Sequence, residues 1–142
     1  MRALLDVNVL IALHDQDHVH HTRAASWLTH NASHGWASCP LTQNGCLRIM
    51  AQPAYPGAQP LAVLTAMLQR STASAFHALW SNDISLLDDR RFNHGWIHTH
   101  KQLTDVYLLG LAVKNEGRMV TFDQRIALAA VQGAKAEHLV VL

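Results

Sequence analysis

At 142 residues, 49% of them apolar and only 15% charged, the chain can bury one real core and is too hydrophobic to stay disordered. Its formal net charge of +1 excludes nucleic-acid binding by bulk charge alone. A polyanion would need a local patch, for which Arg90, Arg91 and Lys101 are the nearest candidates, though a solvated surface explains the three more simply. Cys39 and Cys46 are too few for a disulfide framework or a four-cysteine zinc site. Asp6 and Asn8 interrupt the N-terminal apolar run where a signal-peptide core must be continuous, and no stretch approaches the roughly 20 apolar residues that span a bilayer. The expectation is one cytoplasmic domain over residues 1–142 with no membrane partner.

Ala3-Leu4-Leu5 followed by Val7, Val9, Leu10 and Ile11 is a short apolar run suited to a strand buried on both faces that leads into a helix. Asp17 is placed to cap a helix carrying Ala24, Ala25, Trp27 and Leu28 on one face. Gly35 follows that helix, and Trp36-Ala37-Ser38 reads as a second strand. Pro40 suits the first turn of a helix from Leu41 to about Met50. Pro53, Pro56, Gly57 and Pro60 mark a loop, after which Leu61, Leu64 and Leu68 keep helical spacing until Ser71 to Ser74.

One short strand is expected between Phe76 and Leu87. Thr104 is read as the cap of a helix running to about Lys114, apolar nearly all round and so deeply packed. Gly117 ends it, Arg118 to Phe122 forms a strand, a helix from about Gln124 to Val131 stops at Gly133, and Leu139 to Leu142 makes a last strand. Strands alternating with helices predict an α/β fold with a parallel sheet and helices on both faces. Ligands of such folds bind beyond the carboxyl ends of the strands.

Asp6 and Asp123 each directly follow an apolar strand, so in a parallel sheet both emerge at that edge. Asp105 is the one acid on the apolar helix and lies in its first turn, where an unpartnered carboxylate is costly to desolvate. Taken singly, each has an ordinary reading: Asp6 and Asp123 as helix caps, and Asp105 as an acid favoured by its helix dipole. Taken together, three carboxylates at one edge repel unless a cation neutralises them, and oxygen ligands without softer donors suit Mg²⁺ or Mn²⁺. Asn8 and Thr121 are expected to orient the carboxylates, although Asn8 is equally placed to cap the first helix. Asp88 or Asp89 is the reserve candidate for a fourth acid.

Leu4-Leu5-Asp6-Val7-Asn8-Val9-Leu10-Ile11, Leu103-Thr104-Asp105-Val106-Tyr107-Leu108 and Val120-Thr121-Phe122-Asp123 resemble the three acidic motifs of PIN domains. The match is strongest to VapC-type toxins of bacterial toxin–antitoxin pairs. Cys39-Pro40-Leu41-Thr42-Gln43-Asn44-Gly45 is similar to the helix that supplies the family's second motif. Each motif alone is weak; four in order along essentially the whole chain are specific. The resemblance implies a three-layer α/β/α fold with a central, mostly parallel sheet. It also implies a Mg²⁺- or Mn²⁺-dependent endoribonuclease that cuts tRNA, rRNA or mRNA, acts as a homodimer and is silenced by an antitoxin protein. Its metal would be held by Asp6, Asp105 and Asp123, with Asn8, Gln43, Thr104 and Thr121 supporting.

The departure is Gln43, where the family usually has Glu. An amide oxygen can ligate a hard cation but brings no charge, so weaker metal binding and doubt over any second ion follow. A catalytically weak PIN fold that works by binding an antitoxin or RNA is therefore the alternative. An unrelated phosphatase or receiver domain is disfavoured: position 8 is Asn rather than a second acid, and Lys135 does not follow a strand. The eleven histidines, including His18, His20, His21, His98 and His100, lack HExxH or Cys–His spacing and read as surface imidazoles. Trp36, Trp80 and Trp96 are expected in the core or a dimer interface.

Overall fold

The computed structural model of the protein describes residues 1–142. Strand β1 (Ala3–Leu5) leads through Asp6 into helix α1 (Val7–His14), which is followed by α2 (His21–Asn31), β2 (Trp36–Ser38) and α3 (Pro40–Met50). Then come α4 (Leu61–Thr72), β3 (His77–Leu79), α5 (Leu103–Lys114), β4 (Arg118–Thr121) and β5 (Leu139–Val141). The five strands form one wholly parallel sheet in the order β3-β2-β1-β4-β5.

That order carries the functional logic. The chain builds outward from β1 through β2 to β3, then returns to lay β4 on the other side of β1. The winding direction reverses between β1 and β4, where helices leave to opposite faces and open a crevice at the carboxyl ends of the strands. Leu5 pairs with Val120 across this junction, and the Asp6 N–H extends the ladder by donating to the Val120 carbonyl at 2.9 Å.

Side-chain alternation divides the core into two. Ala3, Leu5, Trp36 and Val120 pack beneath α1 to α4; Leu4, Ala37 and Met119 face α5. Helix α5 buries Val106, Leu108, Leu109 and Leu111 almost completely, which accounts for its lack of a polar stripe. Gly117 lets α5 turn into β4 against the first strand: a Cβ there would stand 2.7 Å from the Arg2 carbonyl oxygen and 2.5 Å from the Trp80 ring.

Several expected elements differ. Asp17 does not cap α2: the Asp15 carboxylate accepts the Asp17 N–H in a local turn at 3.0 Å, and the helix starts four residues later at His21. Thr104 is not a cap either. A 3₁₀ turn, His100–Gln102, runs straight into α5, and the Gln102 side chain closes that turn without capping α5: its Oε1 accepts the N–H groups of His98 and Thr99 at 2.7 and 3.0 Å. The helix expected over Gln124 to Val131 is only one 3₁₀ turn, Leu128–Ala130. The Asp123 carboxylate takes the Arg125 N–H at 2.8 Å, closing a tight turn instead of starting a helix. Trp36 is buried, whereas Trp96 is 50% exposed.

Candidate metal and nucleic-acid site

Asp6 sits where β1 ends and α1 begins. It caps α1 by accepting the Val7 N–H at 2.7 Å, so the ordinary capping reading is correct as far as it goes. Its other oxygen accepts from Thr121 Oγ1 at 2.6 Å. Thr121, the last residue of β4, has no exposed surface, and its hydroxyl is a three-way junction. It donates to Asp6, accepts the Asp123 N–H at 3.0 Å and accepts Asn8 Nδ2 at 3.3 Å. Asn8 Oδ1 in turn accepts the Phe122 N–H at 3.3 Å. Asn8 thus ties α1 to the segment after β4 and serves no cap; that role belongs to Asp6.

Asp105 reaches the same place from α5. Desolvation first, then the charges of Asp6 and Asp123 and a hydrogen bond shared with Asp123, push its carboxyl up to about 6. Burial also raises Asp6, against the lowering bonds from Thr121 and Val7, with the Asp123 charge adding to the rise. Thus acids 117 residues apart in sequence act on each other electrostatically. None is drawn into a separate buried ion pair; one exposed guanidinium, Arg125, lies 3.6 Å from Asp123.

As posed, no three His, Cys, Asp or Glu side chains close on a single point to form a finished cage. Asp6 is held by Thr121 and Val7, while Asp105 is turned onto Asp123. The donor set nevertheless fits a hard divalent cation: all carboxylate oxygen, with two of the acids pushed upward partly by the others' charge. Asp6, Asp105 and Asp123 would hold such a cation, whose charge would offset that repulsion.

Gln43 lies on α3 and bonds to none of the three aspartates. Its Nε2 donates to Ser38 Oγ at 2.9 Å, and Ser38 Oγ meets His77 Nε2 at 2.8 Å. The Thr72 backbone also acts on the His77 ring, favouring its protonated form. With Gln43 donating to Ser38 Oγ, the Ser38 proton is left to point at Nε2 of a neutral His77, so protons run from Gln43 through Ser38 to the ring. Burial holds His77 below the ordinary histidine range, outweighing the Thr72 bond, with Arg2 lowering it further. Glu in place of Gln43 would ask the single Ser38 proton to serve two acceptors. Gln43→Glu is therefore expected to raise the His77 titration midpoint, read from its imidazole proton shifts by NMR.

The remaining candidates separate. Thr104 is exposed and lines an apolar groove with Leu41, Leu86, Leu103 and Tyr107, with no hydrogen bond to Asp105. Asp88 is held by Arg90 at 2.9 Å and lies 3.8 Å from Arg91, which occupies one of the two reserve acids, Asp88, together with two members of the basic patch. The third member, Lys101, does stand on the cleft beside Asp105 and Asp123. Sequence reasoning missed Arg125 there. The signal was local: an arginine two residues after a strand-end Asp is carried back over that Asp by an Asx turn. His21 binds the Ala12 carbonyl at 2.8 Å rather than facing the site.

The PIN domain family model matches residues 3–132. The chain belongs to the PIN-domain family. Within that family it is 51% identical to Ribonuclease VapC44 of Mycobacterium tuberculosis, over 100% of both chains. It is 39% identical to Ribonuclease VapC39 and 40% identical to Ribonuclease VapC38 of the same species, covering 94% of this chain and 96% and 93% of theirs. Among solved structures, the Mycobacterium tuberculosis toxin VapC20, described as cleaving the sarcin–ricin loop, superposes with a TM-score of 0.59. That match covers 87% of this chain and 91% of the other at 12% identity, which speaks for the shared PIN fold alone.

Proposed function

We propose that this PIN-domain protein is a Mg²⁺- or Mn²⁺-dependent endoribonuclease, the toxin of a toxin–antitoxin pair. The observation that carries the reading is the meeting of Asp6, Asp105 and Asp123 at the sheet's switch point, with Asp105 held near 6 partly by its neighbours' charge. The names of the VapC relatives support the ribonuclease part of this reading.

In this reading the three aspartates hold the cation, which when bound polarises the scissile phosphate and makes a nearby water more acidic. The protein's own groups do the rest. Thr121 fixes the Asp6 carboxylate, Asn8 ties α1 to the loop bearing Asp123, and the polar cleft beside Asp105 admits a sugar–phosphate chain. RNA is the substrate and a cognate antitoxin the inhibitor. The apolar groove of Leu41, Leu86, Leu103 and Tyr107 suits a second copy of the chain. Cytoplasm is the compartment in which both RNA and antitoxin would be met, and no helix is long and apolar enough to cross a membrane.

The competing reading, a weakly catalytic binder, is favoured by one observation: Gln43 brings no charge and is engaged by Ser38. Incubation with total RNA separates the two. The nuclease cuts in Mg²⁺, stops in EDTA and resumes on adding Mn²⁺. A wild-type protein that binds RNA or antitoxin but never cuts under any of these conditions would sustain the binder.

A further inference from the structure

The cleft beside the aspartates, about 410 Å³, is lined entirely by polar side chains, with Asp105 and Asp123 near Lys101 and Arg125. Arg125 is anchored at its backbone and free at its tip. Its N–H is held by Asp123 Oδ1 at 2.8 Å, while its guanidinium makes one 3.6 Å approach to that same oxygen with 91% of the side chain exposed. It is the one basic side chain paired with any of the three acids; the other ion pairs involve Asp83 and Asp88. Its charge also opposes the rise at Asp105. Lys101 is exposed and makes no ion pair.

A single contact at that distance and exposure holds the guanidinium weakly. It also places Arg125 in competition with any cation that Asp123 would ligate. Once Asp123 is neutralised by a cation, the better partner for a planar guanidinium is a phosphate, which it can take with two parallel hydrogen bonds. We propose that Arg125 is an exchangeable counter-ion. It neutralises Asp123 in the metal-free protein and turns to an RNA phosphate when a divalent cation is held, while Lys101 takes a neighbouring phosphate. The inference rests on the metal-dependent ribonuclease reading and adds the residues that recognise the backbone of the RNA.

The exchange predicts effects of opposite sign from one substitution. Arg125→Ala binds Mn²⁺ alone about twofold to fivefold more tightly by calorimetry, because a competing charge is gone. The same variant binds a fluorescent single-stranded RNA at least about tenfold more weakly by anisotropy in Ca²⁺, and the slope of log affinity against log salt falls by about 0.7. Arg125→Lys restores the salt slope but only part of the affinity, since it lacks the fork. Lys101→Ala weakens RNA binding and leaves Mn²⁺ binding unchanged.

Arg125→Ala with unaltered RNA affinity, or with unaltered or weaker Mn²⁺ affinity, would overturn the exchange. Cleavage followed in parallel in Mg²⁺ keeps the two ideas apart. Opposite shifts in Arg125→Ala, with a wild-type protein that never cuts RNA, would support the exchange and retire the nuclease. A cutting wild type whose Arg125→Ala variant is indistinguishable from it would do the reverse.

Discussion

Asp105→Asn is expected to abolish RNA cleavage while making the metal-free protein more stable. A residue that merely orients a metal ligand is worth about 10- to 100-fold in activity, so loss of a ligand itself should exceed about a hundredfold. The gain in stability comes from the same electrostatics. Asp105 titrates at about 6 in the folded chain against 3.8 for an ordinary carboxyl, from burial and from the charges of Asp6 and Asp123. The folded protein thus holds this proton more tightly than the unfolded one. The stabilisation is fully present below about pH 4 and is lost as pH rises through about 6, so the metal-free protein weakens over that interval.

Solvent reaches this half-buried group and screens it, so the charge costs only about 1 kcal/mol at neutral pH. An amide at 105 carries no charge and can donate to Asp123. In EDTA at pH 7.5 the variant should therefore melt about 2–4 °C higher, and the decline between pH 4 and 6 should shrink. Thermal denaturation across pH in EDTA checks both. A variant that loses activity together with stability would show that Asp105 belongs to the packing of α5 rather than to a metal site.

Thr121→Val is expected to damage the site less than loss of an acid and by a different route, but to cost stability as well. The substitution keeps the shape of a fully buried side chain and removes the hydroxyl that Asp6, Asp123 and Asn8 share. Asp6 loses a donor inside the protein and the Asp123 N–H loses its acceptor. An unsatisfied buried group costs about 1–3 kcal/mol, and the half-buried Asp123 N–H adds less than that, so about 2–4 kcal/mol of stability should go. Cleavage should fall about 10- to 100-fold from the misoriented carboxylates. Thr121→Ser, which keeps the oxygen, should recover most of the activity. Urea denaturation and kcat measured at saturating Mg²⁺ resolve the two effects; an unchanged kcat would remove Thr121 from any role in orienting Asp6.

Much of this was legible before any coordinates. The apolar runs at Ala3–Leu5, Trp36–Ser38 and Arg118–Thr121 were readable as buried parallel strands because both faces of such a strand are covered, leaving no polar alternation to confuse the pattern. Asp6 and Asp123 stood out because a charge directly after such a run must lie at the sheet's edge. Where local hydrogen bonds competed with propensity, the pattern misled. Asp123 is as good a helix cap as any Asp by composition, but its carboxylate folds back on Arg125. Thr104 caps nothing, because the preceding 3₁₀ turn runs directly into α5.

The order of residues by itself determined which segments pack and that three acids end beside apolar elements, since burial and periodicity are local properties of a chain. Only the tertiary structure decided that β4 returns to the side of β1, placing acids from opposite ends of the chain within reach of each other. It alone turned Gln43 onto Ser38 and laid Arg125 over Asp123. Those outcomes depend on directions in space between residues distant in sequence, and charge–charge repulsion acts through distance rather than along the backbone.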